Sequence, residues 1–418
     1  MDHFQYRQGH LFAEDVSLTT LAEQVGTPLY VYSRATLTRH YRVMDEALSD
    51  VDHLICYSVK ANSNLAVLQL LASLGSGFDI VSVGELERVI AAGGDPAKVV
   101  FSGVGKRDDE IAAALKAGIH CINVESEWEL QRCAVVAESV GAVAPISLRV
   151  NPDVDPNTHE YIATGLKSSK FGVPFEEARR LYRWARENPH LSIVGVDCHI
   201  GSQIVEPAPL VEALDRVLEL VDELRAEGVE VQHVDMGGGL GITYKDERPA
   251  PPAAIGKAYA ERLASRGLQL LVEPGRVIAG NAGVMLMRVL GVKDNGDRRF
   301  VITDAAMNDN IRPSLYRAWQ DICVVDASAA RGERTVDVVG PICESGDFFA
   351  QDRPLPDVER GDLLAMRSAG AYGFCMASNY NSRPRAAEVM VHGDRWQVIR
   401  PREALAELFA NERLLEDL

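Results

Sequence analysis

Lys60 closes the apolar run His53 to Val59, where a core strand is expected to end. A buried ammonium is costly unless it is paired or neutralised. It can be a lysine whose stem lies on apolar surface while its head reaches water. It can also be an amine that forms a Schiff base with a carbonyl cofactor. Further along stand His199 in Asp197-Cys198-His199-Ile200-Gly201-Ser202-Gln203, the triple Gly237-Gly238-Gly239, and Glu273-Pro274-Gly275-Arg276. Successive glycines let backbone N–H groups approach a phosphate, although a tight strand-to-helix turn has the same composition. Taken singly, His199 fits a core imidazole and Glu273 with Arg276 fits a self-satisfying ion pair. Together, a lysine, a phosphate cradle, a flat aromatic ring and a carboxylate suit pyridoxal phosphate, the carboxylate keeping the pyridine nitrogen protonated.

Those residues need a scaffold that gathers them. Eight apolar, β-branched runs are expected as strands: 53–60, 77–82, 98–102, 120–125, 145–151, 193–200, 233–239 and 269–276. Helical patterns fall between most of them, at 65–74, 84–92, 108–116, 126–140, 176–187 and 209–227, with a further one at 252–265. Strands alternating with helices predict an α/β (β/α)8 barrel of the TIM type, with a doubly wound open sheet as the rival. Against the rival, Ile242 stands where a dinucleotide fingerprint needs its last glycine. Lys60, Asp79, Glu125, Arg149, His199, the glycine triplet and Glu273 all fall near strand C-terminal ends, the rim where barrel active sites are built.

After Arg276 the pattern changes to short strands separated by Gly and Asp turns, at 284–292, 299–303, 335–339, 362–366, 386–391 and 396–399. The expected organisation is a barrel over 35–280 and an all-β domain formed by 1–34 and 281–418. Segments 5–12 and 28–31 are expected as strands that join the β domain, and 402–409 as a surface helix. The net charge of −17 disfavours nucleic acid or an anionic membrane as partner. The first residues lack the basic and apolar regions of a signal peptide, and no apolar run has membrane-spanning length. Seven scattered cysteines without CxxC spacing fit free thiols in a reducing cytoplasm, with no metal site expected.

With these motifs in place, the chain resembles the diaminopimelate decarboxylase family, barrel-type pyridoxal-phosphate enzymes related to alanine racemase in fold. The likeness runs from Gly26-Thr27-Pro28-Leu29-Tyr30-Val31-Tyr32 to Ser378-Asn379-Tyr380-Asn381. It includes Thr164-Gly165-Leu166-Lys167, Lys170-Phe171-Gly172, Cys343-Glu344-Ser345-Gly346-Asp347 and Ala369-Gly370-Ala371-Tyr372-Gly373. One departure is Glu160, where proline is usual. The resemblance implies decarboxylation of meso-2,6-diaminopimelate to L-lysine and carbon dioxide, the last step of lysine biosynthesis. It implies Lys60 as the Schiff-base lysine, His199 stacked on the cofactor ring, Glu273 at the pyridine nitrogen, and Asp79 among the cofactor residues. Gly238, Gly239, Gly275, Arg276, Ser202 and Tyr372 would hold the phosphate side. Arg276, Arg312, Tyr316 and Tyr372 would receive the substrate carboxylate end, Glu344 its distal ammonium, and Cys343 would protonate the carbanionic carbon. The Cys343-Glu344 segment is expected to enter from a neighbouring subunit, making the active unit a homodimer.

Overall fold

The computed structural model describes residues 2–155, 170–329 and 331–416, which divide into two compact units. Glu160 and the Thr164–Lys167 motif lie outside the described residues. Thr38–Ile278 forms one unit, and Met1–Leu37 with Ala279–Leu418 the other.

In the first unit eight parallel strands follow one another around a closed barrel: β1 (His53–Ser58), β2 (Gly77–Ile80), β3 (Val99–Phe101), β4 (Cys121–Val124), β5 (Ala144–Asn151), β6 (Leu191–Asp197), β7 (His233–Asp235) and β8 (Gln269–Val272). Each pairs with the next, and β8 returns to β1 through Leu270 opposite His53. Such strands are covered on both faces, which is why apolar residues dominate most of them. The helices between them start where the sequence supplies caps. Asn64, Ser82 and Ser126 each accept a hydrogen bond from a backbone N–H two or three residues on. Gly118 and Gly141 end two of them in the left-handed conformation.

All eight expected strands are present, but most stop short of the expected ends. β1 ends at Ser58, so Lys60 sits on a single 3₁₀ turn, Val59–Ala61. β8 ends at Val272, and Arg276 opens a short helix, Arg276–Ala279. Lys60, His199, Glu273 and Arg276 therefore lie on turns leaving the barrel, while Asp79 stays within β2.

The second unit is built on a nine-stranded sheet. Its main path runs Phe348–Pro356, Glu333–Val339, Arg298–Thr303, Gly283–Asn295, Leu29–Ser33, Ala387–His392, Arg395–Arg400. Leu29–Ser33 lies between strands more than 250 positions away in the chain, and Leu29, Val31, Val284, Leu286, Val389 and Val391 form its core. The segment expected as one strand at 5–12 is instead a hairpin, Phe4–Arg7 with His10–Ala13. The expected C-terminal helix is a short 3₁₀ segment, Leu405–Phe409. Among the described residues no helix is long and apolar enough to cross a membrane.

Candidate active site

At the rim of the barrel Lys60 Nζ donates to Asp79 Oδ2 at 2.7 Å, and Ser58 Oγ donates to the same oxygen at 2.6 Å. Asp79 is fully buried while the Lys60 side chain is 37% exposed. The carboxylate thus pins the amine from below and leaves it approachable from the rim. Asp79, expected among cofactor contacts, has this lysine as its partner. The turn bearing Lys60 also abuts the exit of β8: the Ser58 N–H donates to Pro274 O at 3.1 Å. A side chain at Gly275 would meet Ala61 Cβ at 2.9 Å and Ser58 Cβ at 3.0 Å.

The exits of β6, β7 and β8 carry the next residues. His199 Nδ1 accepts the Gly238 N–H at 3.1 Å, which leaves the ring proton on Nε2. Burial, reinforced by the Arg149 and Lys60 charges, holds this imidazole well below its ordinary pKa, so it is neutral. Gly237 has φ +61°, and Gly238 packs so closely that a Cβ there would lie 2.4 Å from the Glu273 carbonyl oxygen. Glu273 Oε1 accepts from Ser102 Oγ at 3.2 Å and from Asn123 Nδ2 at 3.4 Å. Burial, with the negative charges of Asp235, Asp79 and Asp197 around it, pushes its carboxyl well above the usual carboxylate range. The Arg276 guanidinium donates to Tyr244 Oη at 2.6 Å and to Ser202 Oγ at 3.1 Å. Glu125 and Arg149, two further rim residues, form a buried ion pair at 3.1 Å, and Glu125 also accepts the N–H groups of Gly103 and Gly172. Their contacts are those of a structural latch.

Three demands of pyridoxal phosphate are thereby met in one place: an amine at the rim, a carboxyl group for a ring nitrogen, and a backbone turn with no room for side chains. Gly237 and Gly239 complete that turn, and the segment leading to Gly275 and Arg276 on the exit of β8 packs against it; the Gly238 N–H itself is committed to His199. Gly238→Ala is expected to force the turn away from Glu273 and to weaken cofactor binding at least tenfold, with about 1–3 kcal/mol of stability lost as overpacking. Fluorescence titration with pyridoxal phosphate checks this; unchanged affinity would show that the turn holds no phosphate.

The second unit carries Arg312, Tyr316, Cys343, Glu344 and Tyr372. Arg312 and Tyr316 bound one short helix, Arg312–Tyr316, and Arg312 is buried. Its backbone N–H donates to Asn310 Oδ1, and Asn310 is fixed in turn by Gln320. Ser314 Oγ on the same helix donates to Gly346 O at 2.6 Å, tying it to the loop that bears Cys343 and Glu344. That loop is closed by Asp347, which accepts the N–H groups of Met307 at 2.7 Å and Ile342 at 2.8 Å. The Cys343 N–H donates to Asn381 Oδ1 at 2.8 Å, and Cys343 is exposed. Tyr372 has φ +55°, an uncommon conformation for an aromatic residue and a marker of functional constraint. Ser102, Asn123, Tyr244, Asn310 and Ser314 are supporting residues that no motif announced; each is an ordinary polar residue whose role depends on partners far away in the chain.

The family described as the pyridoxal binding domain of pyridoxal-dependent decarboxylases matches residues 34–280. Among curated relatives, the diaminopimelate decarboxylase of Vibrio cholerae is 57% identical over 100% of both chains. That of Pseudomonas aeruginosa is 56% identical, over 99% of this chain and 100% of its own. Among solved structures, Helicobacter pylori diaminopimelate decarboxylase complexed with L-lysine superimposes with a TM-score of 0.91 at 43% identity, covering 94% of this chain and 98% of that one. On this evidence the chain belongs to the diaminopimelate decarboxylase family of pyridoxal-dependent decarboxylases.

Proposed function

We propose that the chain releases carbon dioxide from meso-2,6-diaminopimelate to give L-lysine, with Lys60 as the covalent anchor of pyridoxal phosphate. The observation that carries the reading is the Lys60–Asp79 contact at 2.7 Å, beside a buried Glu273 and a glycine turn without room for side chains. When bound, the cofactor supplies an electron sink for the carbanion left by carbon dioxide. Asp79 holds the Lys60 amine at the rim. His199, neutral and fixed by Gly238, offers a flat face to the cofactor ring, and Glu273 meets the ring nitrogen. Gly239, Gly275, Arg276, Ser202 and Tyr372 bind the phosphate side. Arg312 and Tyr316 receive the substrate carboxylate that is retained, and Glu344 receives the distal ammonium. The departing carboxylate is left free of cations, because pairing it would stabilise the ground state rather than the transition state. Cys343 delivers a proton to the carbon that lost carbon dioxide. Cys343 and Glu344 act in the site of the neighbouring subunit of a cytoplasmic homodimer.

Carbon dioxide release from meso-diaminopimelate, compared with ornithine and lysine, tests the reaction; no turnover of the first by cofactor-loaded protein would sink it. Cys343→Ala is expected to keep cofactor binding and to lose about 10²–10⁴-fold in kcat, the usual contribution of a positioned proton donor. Mixing Lys60→Ala with Cys343→Ala protein should restore part of the activity through hybrid dimers. Lack of rescue, with subunit exchange demonstrated, rules out a shared site.

A further inference from the structure

Three carboxylates from neighbouring strands meet inside the barrel: Asp197 ends β6, Asp235 ends β7, and Glu273 follows β8. One oxygen of each lies within 4.8 Å of the other two, and all three side chains are buried. Asp235 Oδ1 accepts the Gly237 N–H at 2.9 Å, which links this acid layer to the glycine turn. Asp197 Oδ1 and Asp235 Oδ2 are buried and meet no donor among the described residues. The cations that face the layer are already engaged, Lys60 with Asp79 from β1 and β2, and Arg149 with Glu125 from β5 and β4. The thiols of Cys56, Cys121 and Cys198 also face it, and burial keeps them un-ionised.

Three carboxylates this close, away from water and without a cation of their own, cannot all be ionised. A carboxyl proton shared among them also supplies the donor that the buried oxygens lack. We propose that Asp197 and Asp235 are positioning residues that hold two protons jointly with Glu273, so that the three carboxylates together present one negative charge to the cofactor's ring nitrogen. This rests on Glu273 being the partner of that nitrogen. Burial raises all three acids above their ordinary range, Asp235 to about 6. Protons in such a layer belong to the group rather than to any one residue. Asp235 is also linked to Glu273 through the glycine turn, since Gly237 donates to Asp235 and accepts the Glu273 N–H at 2.8 Å.

The test is infrared spectroscopy of the cofactor-loaded full chain at about pH 5.5, above ordinary carboxylate pKa values and below the range to which burial raises these acids. The carbonyl band of un-ionised carboxylic acids should be present, and Asp197→Asn and Asp235→Asn should each remove about one carboxyl's intensity. Spectra identical to wild type in this region would overturn the proposal. Should a variant fold poorly, the wild-type spectrum still decides, because absence of any such band overturns it. Stability gives a second measurement. Acids with raised folded-state values bind protons that the unfolded chain has released, so their contribution is present at low pH and declines as pH rises through about 6 and above. That decline should flatten in both variants, and an unchanged slope counts against the shared protons. Failure of the Glu273 assignment is read separately, as a cofactor absorbance spectrum unchanged in Glu273→Gln.

Discussion

Lys60→Ala is expected to abolish turnover, by more than the roughly 10²–10⁴-fold that a positioned proton-transfer group alone contributes. On the proposed assignment, the substitution removes both the covalent anchor and a group placed to move protons at the rim. It also leaves Asp79 buried with Ser58 as its remaining side-chain donor in this contact. A charged group stripped of its partner costs about 1–3 kcal/mol or more. Lost activity by itself would therefore be ambiguous between chemistry and folding. The double variant Lys60→Ala with Asp79→Asn separates the two. Neutralising Asp79 should recover most of the lost stability, seen as a denaturant midpoint returning toward wild type, while activity stays absent. Borohydride reduction should fix the cofactor to wild-type protein and to neither variant. Turnover within tenfold of wild type in Lys60→Ala would end its assignment as the anchor.

What could be read in the chain follows from which signals are local. The eight strands and the helices between them show themselves through period and caps: Asn64, Ser82 and Ser126 mark helix starts without reference to anything distant. Lys60, His199 and Glu273 were visible because each stands where an apolar run gives way to turn residues. Strand ends were less legible, since the backbone at Ser58 is bonded to Pro274 on the exit of the neighbouring β8, more than 200 positions away in the chain. The strand Phe348–Pro356 was missed for another reason. Its Asp352, Arg353, Pro354 and Pro356 look like a loop, and they are tolerated because the strand forms the end of its sheet, where fewer ladder hydrogen bonds are needed. The acid layer could not be seen at all. Asp197 and Asp235 are separated from each other and from Glu273 by whole β/α units, and only closure of the barrel brings them together. On the other unit, Arg312 and Tyr316 stand four residues apart, but the backbone of Arg312 is fixed by Asn310, itself held by Gln320, a contact no spacing rule announces.

Arg312→Ala is the second change with a large expected effect, and it bears on which substrate is used rather than whether chemistry occurs. Arg312 is buried, with its backbone fixed by Asn310 and its helix tied to the Cys343 loop through Ser314. A buried guanidinium favours an anion that can accept two of its donors, so a substrate with a second carboxylate satisfies it. Ornithine or lysine, lacking that carboxylate, would leave it uncompensated at a cost of about 3–5 kcal/mol. Removing the arginine deletes the gain for one class and the penalty for the other. The kcat/KM for meso-diaminopimelate is therefore expected to fall by roughly 10²–10³-fold, from about 3–4 kcal/mol of lost charge pairing, while the value for lysine should hold or rise. Arg312→Lys keeps the charge without the planar fork and should fall between wild type and Arg312→Ala. Steady-state kinetics on both substrates gives the ratio directly. A parallel fall for the two would mean that Arg312 supports the fold of its loop and does not read the substrate. A divergence would support a choice of substrate made by the β unit.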